Sequence, residues 1–442
     1  MKPEQKQYSK MLAETLLEKA HNATATAEQL QVLRARIDAN DSPNPFLTSD
    51  AAKVAEALGL SKEWGWLREA RFTFVDLFAG IGGMRLAAES EGGRCVASVE
   101  INPQCIETYK QNFADDPTGD ITILDPASLK EHHLLLAGFP CQAFSIAGRK
   151  GGFEDTRGTL FRNVAEIIAA KRPDAFILEN VKGLVSHAKR QTLPVILNTL
   201  QGEPVNYYLV PQSEKTKLKG TGWAVLNALD YGVPQNRERI FIVGFKDPVV
   251  AERFRFPEPS TPGGAGMTLQ DVLEDGPRWQ TPVHARHFIS DKYLQGLKRH
   301  RAHHESIGQG FGFEERDHGG FANALVGGGM GRERNLVKAQ MDAQGGTLDE
   351  LRSPRNNENL RRMTPREWAR LQGFPEWFQP HRAETHAYKQ FGNSVAVPNV
   401  AAVIRAVRVA IENTDSHASD PSSGPTQLHL DLLQANDRTR PR

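Results

Sequence analysis

Between residues 72 and 245 short apolar runs alternate with helical patterns, and this alternation constrains the fold more than any other feature. FTFVDLF (72–78), CVASVE (95–100), LLLAGF (134–139), AFILENV (175–181) and RIFIVGF (239–245) each have the length and apolar content of a buried strand. Helical stretches lie between most of them, for example FRNVAEIIAAK (161–171). Repeated strand–helix units of this kind predict an α/β fold, a doubly wound, Rossmann-like and mostly parallel sheet with helices on both faces.

The rest of the chain departs from that rhythm. Residues 1–70 are rich in Ala, Leu, Glu and Lys at helical spacing, interrupted by Pro43 and Pro45. Within them AAKVAEALGLSKEWGWLREA carries Ala55 and Gly59 at helix-turn-helix spacing. Gly65 and Arg68 fall where a recognition helix needs apolar residues, so a helical extension is the expectation. Residues 246–358 are rich in Gly, Arg and His and short of long helical patterns, which predicts a smaller, mostly irregular or β domain. TPREWARLQGF (364–374) returns to helix, with Thr364 as N-cap, Pro365 at the first position and Glu367 closing a capping box. Residues 359–412 thus rejoin the domain begun at 71–245, with an apolar helix over 400–412. The tail 413–442 has a disordered composition.

Composition excludes several classes. Hydrophobic residues make up 39% of the 442 and charged residues 24%, as in a soluble globular chain. No uncharged apolar run reaches the length of a membrane span, and MKPEQKQYSK lacks a signal-peptide core. Three cysteines, Cys95, Cys105 and Cys141, provide neither a disulfide framework nor a four-cysteine zinc site, so a reducing, cytoplasmic setting is expected and no metal. The net charge of +1 leaves any polyanion-binding surface to local patches, such as 352–370 with a net +4.

Candidate chemistry gathers at the ends of the strands. The first strand runs through Asp76-Leu-Phe-Ala-Gly80-Ile-Gly82-Gly83 into a helix, a turn that lets backbone approach a nucleotide-like ligand. Glu100 ends the next strand, placed to accept hydrogen bonds from ribose hydroxyls. The third glycine of a dinucleotide fingerprint is absent, since position 85 is Arg, and no second phosphate-cradling loop follows, so S-adenosyl-L-methionine fits better than NAD. Asp120 would then face an adenine amino group. A tight turn with no ligand is the alternative.

Cys141, in GFPCQAFSIAG, follows a parallel strand at its carboxyl end, where open α/β sheets place their active sites. Arg149, Lys150 and Arg157 nearby favour a thiolate and can face phosphates; a packing role for the thiol stays open. Glu179 closes the next strand, forming a thiol–acid pair with Cys141. Arg237 and Arg239, two apart on an extended chain, are expected to share one face and to suit contacts to a base oxygen and a phosphate.

These residues together resemble the DNA (cytosine-5)-methyltransferases, bacterial restriction-modification type. The matching stretches are DLFAGIGG, SVE, GDIT, GFPCQAFSIAG, GFEDTRGTLF, LENVKG, VLNALDYGVPQNRERIF, RRMTPREWARLQGFP and YKQFGNSVAVP. They run in the family's order from about 72 to 400. The resemblance implies a methyl group passed from S-adenosyl-L-methionine to C5 of a cytosine flipped out of duplex DNA. Cys141 would attack C6, Glu179 would hold and protonate N3, Arg239 would contact O2, and Arg237 the active-site loop or a phosphate. Phe78, Gly80, Ile81, Gly82, Glu100, Ile101, Asp120, Ile121, Pro140, Leu160, Asn393, Ser394 and Val395 would form the cofactor site.

Gln142 and Ser145 would lie on a loop that closes over the base, and 246–358 would be the target-recognition domain, with Arg332 and Arg334 among its DNA contacts. Ala324-Leu325 stands where the family often has Thr-Leu, so the base-reading residues do not align securely. QGFGF (309–313) is similar to enzymes acting on CC-containing palindromes. The resemblance further implies a monomer, a soluble enzyme without membrane attachment and a cognate restriction endonuclease. Two other readings stand beside it: an RNA (tRNA) cytosine-5 methyltransferase, which the long insertion disfavours, and a DNA-binding regulator with a residual catalytic domain, which the intact Cys141, Glu179 and arginines oppose.

Overall fold

The computed structural model describes residues 70–113, 115–140, 160–209, 222–310, 312–328, 331–342 and 356–412. The expected helical extension and helix-turn-helix hint, the tail beyond 412, and Cys141, Gln142, Ser145, Arg149, Lys150 and Arg157 lie outside the described residues.

Seven strands form the main sheet: β1 (Phe72–Leu77), β2 (Gly93–Val99), β3 (Leu134–Gly138), β4 (Ala175–Val181), β5 (Tyr208–Leu209), β6 (Trp223–Asn227) and β8 (Glu238–Phe245). Their order is β2-β1-β3-β4-β8, with β5 and β6 both paired along β8. Neighbours from β2 to β4 are parallel. β8 is antiparallel to β4, β5 and β6, so it alone runs backwards in this sheet. The expected doubly wound, mostly parallel sheet is what the chain forms. WAVLN (223–227) was not expected as a strand; its alternation is half-buried on an edge, and it ends in polar Asn227.

Period-2 alternation divides the strand side chains between two cores. Leu134 and Leu136 face one layer, with α1 (Gly83–Ser90) and α2 (Pro103–Phe113). Leu135 and Ala137 face the other, with α3 (Leu160–Lys171) and α4 (Thr192–Gln201). Central strands are therefore buried on both faces, which is why they read as continuous apolar runs.

Among the described residues between Lys246 and Glu358 the structure is mostly irregular, with β9 (Ala322–Asn323) and β10 (Leu336–Lys338) among its short strands. It also contains one element the composition did not announce, the 16-residue helix α5 (Asp291–Ser306). Only Leu294 and Leu297 of α5 are buried, so its apolar periodicity is nearly absent. Its one legible signal is Ser290, whose hydroxyl accepts from Tyr293 N at 3.2 Å as an N-cap.

The chain then returns through β11 (Leu360–Arg362), antiparallel to β10, and α6 (Pro365–Leu371). Thr364 and Glu367 make the expected capping box. The helix stops at Leu371 rather than 374 because Gly373 adopts φ 73°, and a Cβ there would lie 2.5 Å from Pro398. Helices α7 (Glu384–Asn393) and α8 (Val397–Glu412) complete the first core layer. By length and composition alone, Glu384–Glu412 is long and apolar enough to cross a membrane. Here Val400, Val403, Ile404 and Val407 are buried in the core layer that contains α1, and Arg405 pairs with Glu91 at 2.6 Å.

Candidate active site

At the carboxyl end of β1 the backbone turns through Phe78 (φ 58°), Gly80 (φ 57°) and Gly82 (φ 86°). A bulky residue in the left-handed region is strained, and such strain concentrates at functional sites. A Cβ on Gly82 would lie 2.2 Å from the Phe113 ring, so only glycine fits. A Cβ on Gly80 would have nothing nearer than a carbonyl at 4.0 Å, which leaves open space beside the turn. At Gly83 an added Cβ would meet Ser394 Oγ at 2.7 Å and Val395 at 3.0 Å. The GNS segment, more than 300 residues later, therefore lies against the start of α1.

Glu100 lies beside this turn. Its Oε2 accepts from Gly80 N at 2.7 Å, and Oε1 from Ile101 N at 3.0 Å and Asn102 N at 2.7 Å. A carboxylate has about four acceptor positions, so these three bonds leave room for one ligand hydroxyl. A bridge between Glu100 and Thr118 brings Asp120 alongside. Asp120 Oδ1 accepts from Thr122 N and Oγ1. Ile101 is 66% exposed, an apolar surface beside an acidic one. Ile81 and Ile121 are buried in the core, so only their backbone is available to a ligand. Pro140 and Leu160 border the segment outside the described residues. An open glycine cradle, an acceptor beside it and an exposed apolar side chain match the chemistry of a nucleoside.

Beyond β3 lies the second half of the site. Gly138 pairs in register with Glu179 on β4, and a Cβ at Gly138 would lie 3.5 Å from Glu179 Oε2. Cys141 follows three residues later, within about 11 Å of Gly138 even along a fully extended chain. Glu179 is 8% exposed, and Arg239 Nε stands 3.1 Å from its Oε1. Burial pushes the Glu179 carboxyl up, while Arg239 and then Arg237 pull against it. Burial likewise lowers Arg239, which Glu179 opposes. The pair thus combines a carboxyl biased toward holding a proton with a donor beside it.

Sequence reasoning missed Asn180. Its Nδ2 donates to Phe139 O at 2.8 Å and its Oδ1 accepts from Val181 N at 2.8 Å, tying the end of β4 to the backbone two residues before Cys141. The signal was present in LENV, as a polar residue inside an apolar strand.

Arg237 has a packing role that was not expected, and the active-site loop it was expected to contact lies outside the described residues. The chain changes partners at Arg237: Gln235–Asn236 (β7) pairs with β9, and β8 pairs with β4. The charge of Arg237 still acts on both Glu179 and Arg239. The Arg237 guanidinium is buried and donates to Leu325 O at 2.6 Å, Gly392 O at 3.0 Å and Ser394 O at 2.5 Å. It clamps the GNS segment to the loop after β9 and is buried. Gln235 reinforces the clamp, accepting from Leu325 N at 3.0 Å and donating to Leu371 O at 2.8 Å.

In the described part of the basic stretch 352–370, which excludes Arg352 and Arg355, three arginines have acidic partners. Arg361 is buried between Asp275 (2.5 Å) and Glu367 (2.8 Å), Arg362 pairs with Glu333 and Arg370 with Glu376. Arg332 stands over the Tyr388 ring at 5.2 Å, and Arg334 lies 3.6 Å from Glu314.

Residues 72–408 match the family model for C-5 cytosine-specific DNA methylases. The Type II methyltransferase M.HpaII of Haemophilus parainfluenzae is 48% identical over 338 residues, covering 76% of this chain and 88% of its own. The Type II methyltransferase M1.ScrFI of Lactococcus lactis subsp. cremoris is 41% identical, covering 78% and 80%. Among solved structures, the Dnmt2 methyltransferase of S. pombe shares the fold, with a TM-score of 0.52 at 19% identity over 78% of this chain and 99% of its own. The chain belongs to the C-5 cytosine-specific DNA methylase family and is a DNA (cytosine-5)-methyltransferase of the restriction-modification type.

Proposed function

We propose that the protein methylates C5 of a cytosine flipped out of a short specific site in duplex DNA, through a transient bond between Cys141 Sγ and ring C6. The observation that carries this reading is the Glu179–Arg239 pair, held in register with the strand end that leads into Cys141.

In this reading the Cys141 thiolate adds to C6 and electron density moves to C5. Glu179, whose carboxyl burial pushes up, protonates N3 and so prevents charge from accumulating on the ring. Arg239 donates to O2 and keeps Glu179 oriented. S-adenosyl-L-methionine, when bound, supplies the methyl group that C5 takes. Loss of the C5 proton to a base restores the ring as the carbon–sulfur bond breaks and releases Cys141. Glu100, Ile101, Asp120 and the Phe78–Gly82 turn would hold the nucleoside of that cofactor, with Ile121, Pro140, Leu160, Asn393, Ser394 and Val395 around it.

Arg237 fixes Gly392–Ser394 in place, and its Nε, unpartnered among the described residues, would reach the active-site loop or a phosphate. We assign target recognition to 246–358, with Arg332 and Arg334 near the DNA, and closure over the base to the segment that holds Gln142, Ser145, Arg149 and Arg157. Acting as a monomer in the cytoplasm, the enzyme would protect host DNA from a cognate restriction endonuclease.

The test is Cys141→Ser. Methyl transfer to duplex DNA should fall below detection while duplex binding stays within a few-fold. Retained turnover, or transfer to tRNA in preference to duplex DNA by the unaltered enzyme, would overturn the reading.

A further inference from the structure

After the catalytic strand β4, the chain passes through a 3-10 turn, Lys182–Val185, and then adopts an unusual conformation. Ala188 (φ 47°), Lys189 (φ 58°) and Arg190 (φ 70°) lie consecutively in the left-handed region. None is glycine or asparagine, the residues that tolerate it. Such outliers persist only where the surroundings enforce them, and they cluster at functional sites.

The surroundings here are rigid. Leu184 and Leu193 are buried on either side of the turn. His187 Nδ1 and Thr192 Oγ1 are 2.7 Å apart, Ser186 Oγ donates to Gly183 O, and Gln191 N donates to Ala188 O. Held in this frame, Lys189 and Arg190 are exposed, and among the described residues neither has an acidic partner. Lys182 differs, being spent on Glu238 at 2.7 Å.

Position gives the charges their meaning. β4 delivers Glu179 at its carboxyl end, and α4 then leads to β5, which runs parallel to β4. The β4–α4 connection therefore lies at the same end of the sheet as the Glu179–Arg239 pair. The substrate of this family is a polyanion, and the chain has no global positive charge to attract it. Of the basic stretch 352–370, Arg361, Arg362 and Arg370 are each paired with carboxylates. We infer that the left-handed turn Ala188–Arg190 is a DNA-backbone contact beside the target base, with Lys189 and Arg190 each meeting a phosphate. The inference rests on DNA as substrate and needs neither the cysteine chemistry nor the cofactor assignment.

The conformation provides a discriminating test, because glycine relieves the strain and removes the charge in one step. Duplex affinity is measured across a salt series for full-length Lys189→Gly, Arg190→Gly, the double variant and Ala188→Gly, with Tm recorded for each. The double variant should raise Tm, weaken duplex binding on the order of tenfold at low salt irrespective of sequence, and reduce the slope of log K against log salt by about 2. Each single variant should reduce the slope by about 1. Ala188→Gly should raise Tm and leave affinity and slope unchanged. An unchanged slope in the double variant overturns the inference. So does an equal loss in Ala188→Gly, which would mean that the shape of the turn matters and its charge does not.

Discussion

Asp76 is fully buried at the end of β1. Desolvation pushes its carboxyl up to about 8, with Arg85 opposing and Glu100 adding to the rise. Its folded pKa thus lies above the unfolded value, so the native state holds the extra proton. Its contribution to stability is complete below about pH 4 and is lost as pH rises toward 8. Asp76→Asn should flatten that loss: thermal melts from pH 5 to pH 8 should show a smaller fall in Tm than for the unaltered protein. Equal falls would mean that Asp76 ionises normally. Burial of this kind was not legible in the sequence, where Asp76 is one polar residue in a glycine-rich motif. Arg237 shows the same limit, since its packing depends on carbonyls more than 80 residues away. Glu179 and Glu100 were legible because each is a carboxylate that closes an apolar run, and strand ends are where open sheets keep their ligands.

Elements were readable in proportion to their burial. β1, β3, β4 and most of β8 are apolar because both faces are covered, and their bounds fell within a residue or two of expectation. α5 was missed because it offers two buried residues in sixteen. Turn chemistry was legible at Thr364-Pro365, but the second task of Glu367 was not. Besides capping α6, it accepts from Arg361 at 2.8 Å and 2.9 Å and from Glu274 N at 2.8 Å. Arg361 thereby joins β11, α6 and Asp275 in a buried ionic cluster. Arg361→Ala leaves two carboxylates buried without their partner and should cost about 3–5 kcal/mol, read as a shift in the denaturant midpoint. A loss below about 1 kcal/mol would place the cluster among surface-type pairs.

Across the whole molecule, the inserted stretch is stitched in from both sides. Trp368, Phe374 and Phe378, which follow it, are packed into the same core as Phe74 and Leu86, which precede it. One core thus runs through both flanks, with Phe254, Leu269, Val272, Ala322 and Val337 of 246–358 also packed into it, and the Arg237 clamp ties the loop after β9 to the GNS segment. The balanced charge of +1 was legible from composition; which cations are free to meet DNA was not, because pairing is set by tertiary contacts.

Bisulfite sequencing of plasmid DNA from cells expressing the protein, beside a Cys141→Ser control, tests the central claim most directly. Protected cytosines at one position of one short motif, absent in the control, are the predicted result. No protected cytosines from a folded protein, or equal protection in the control, would contradict it.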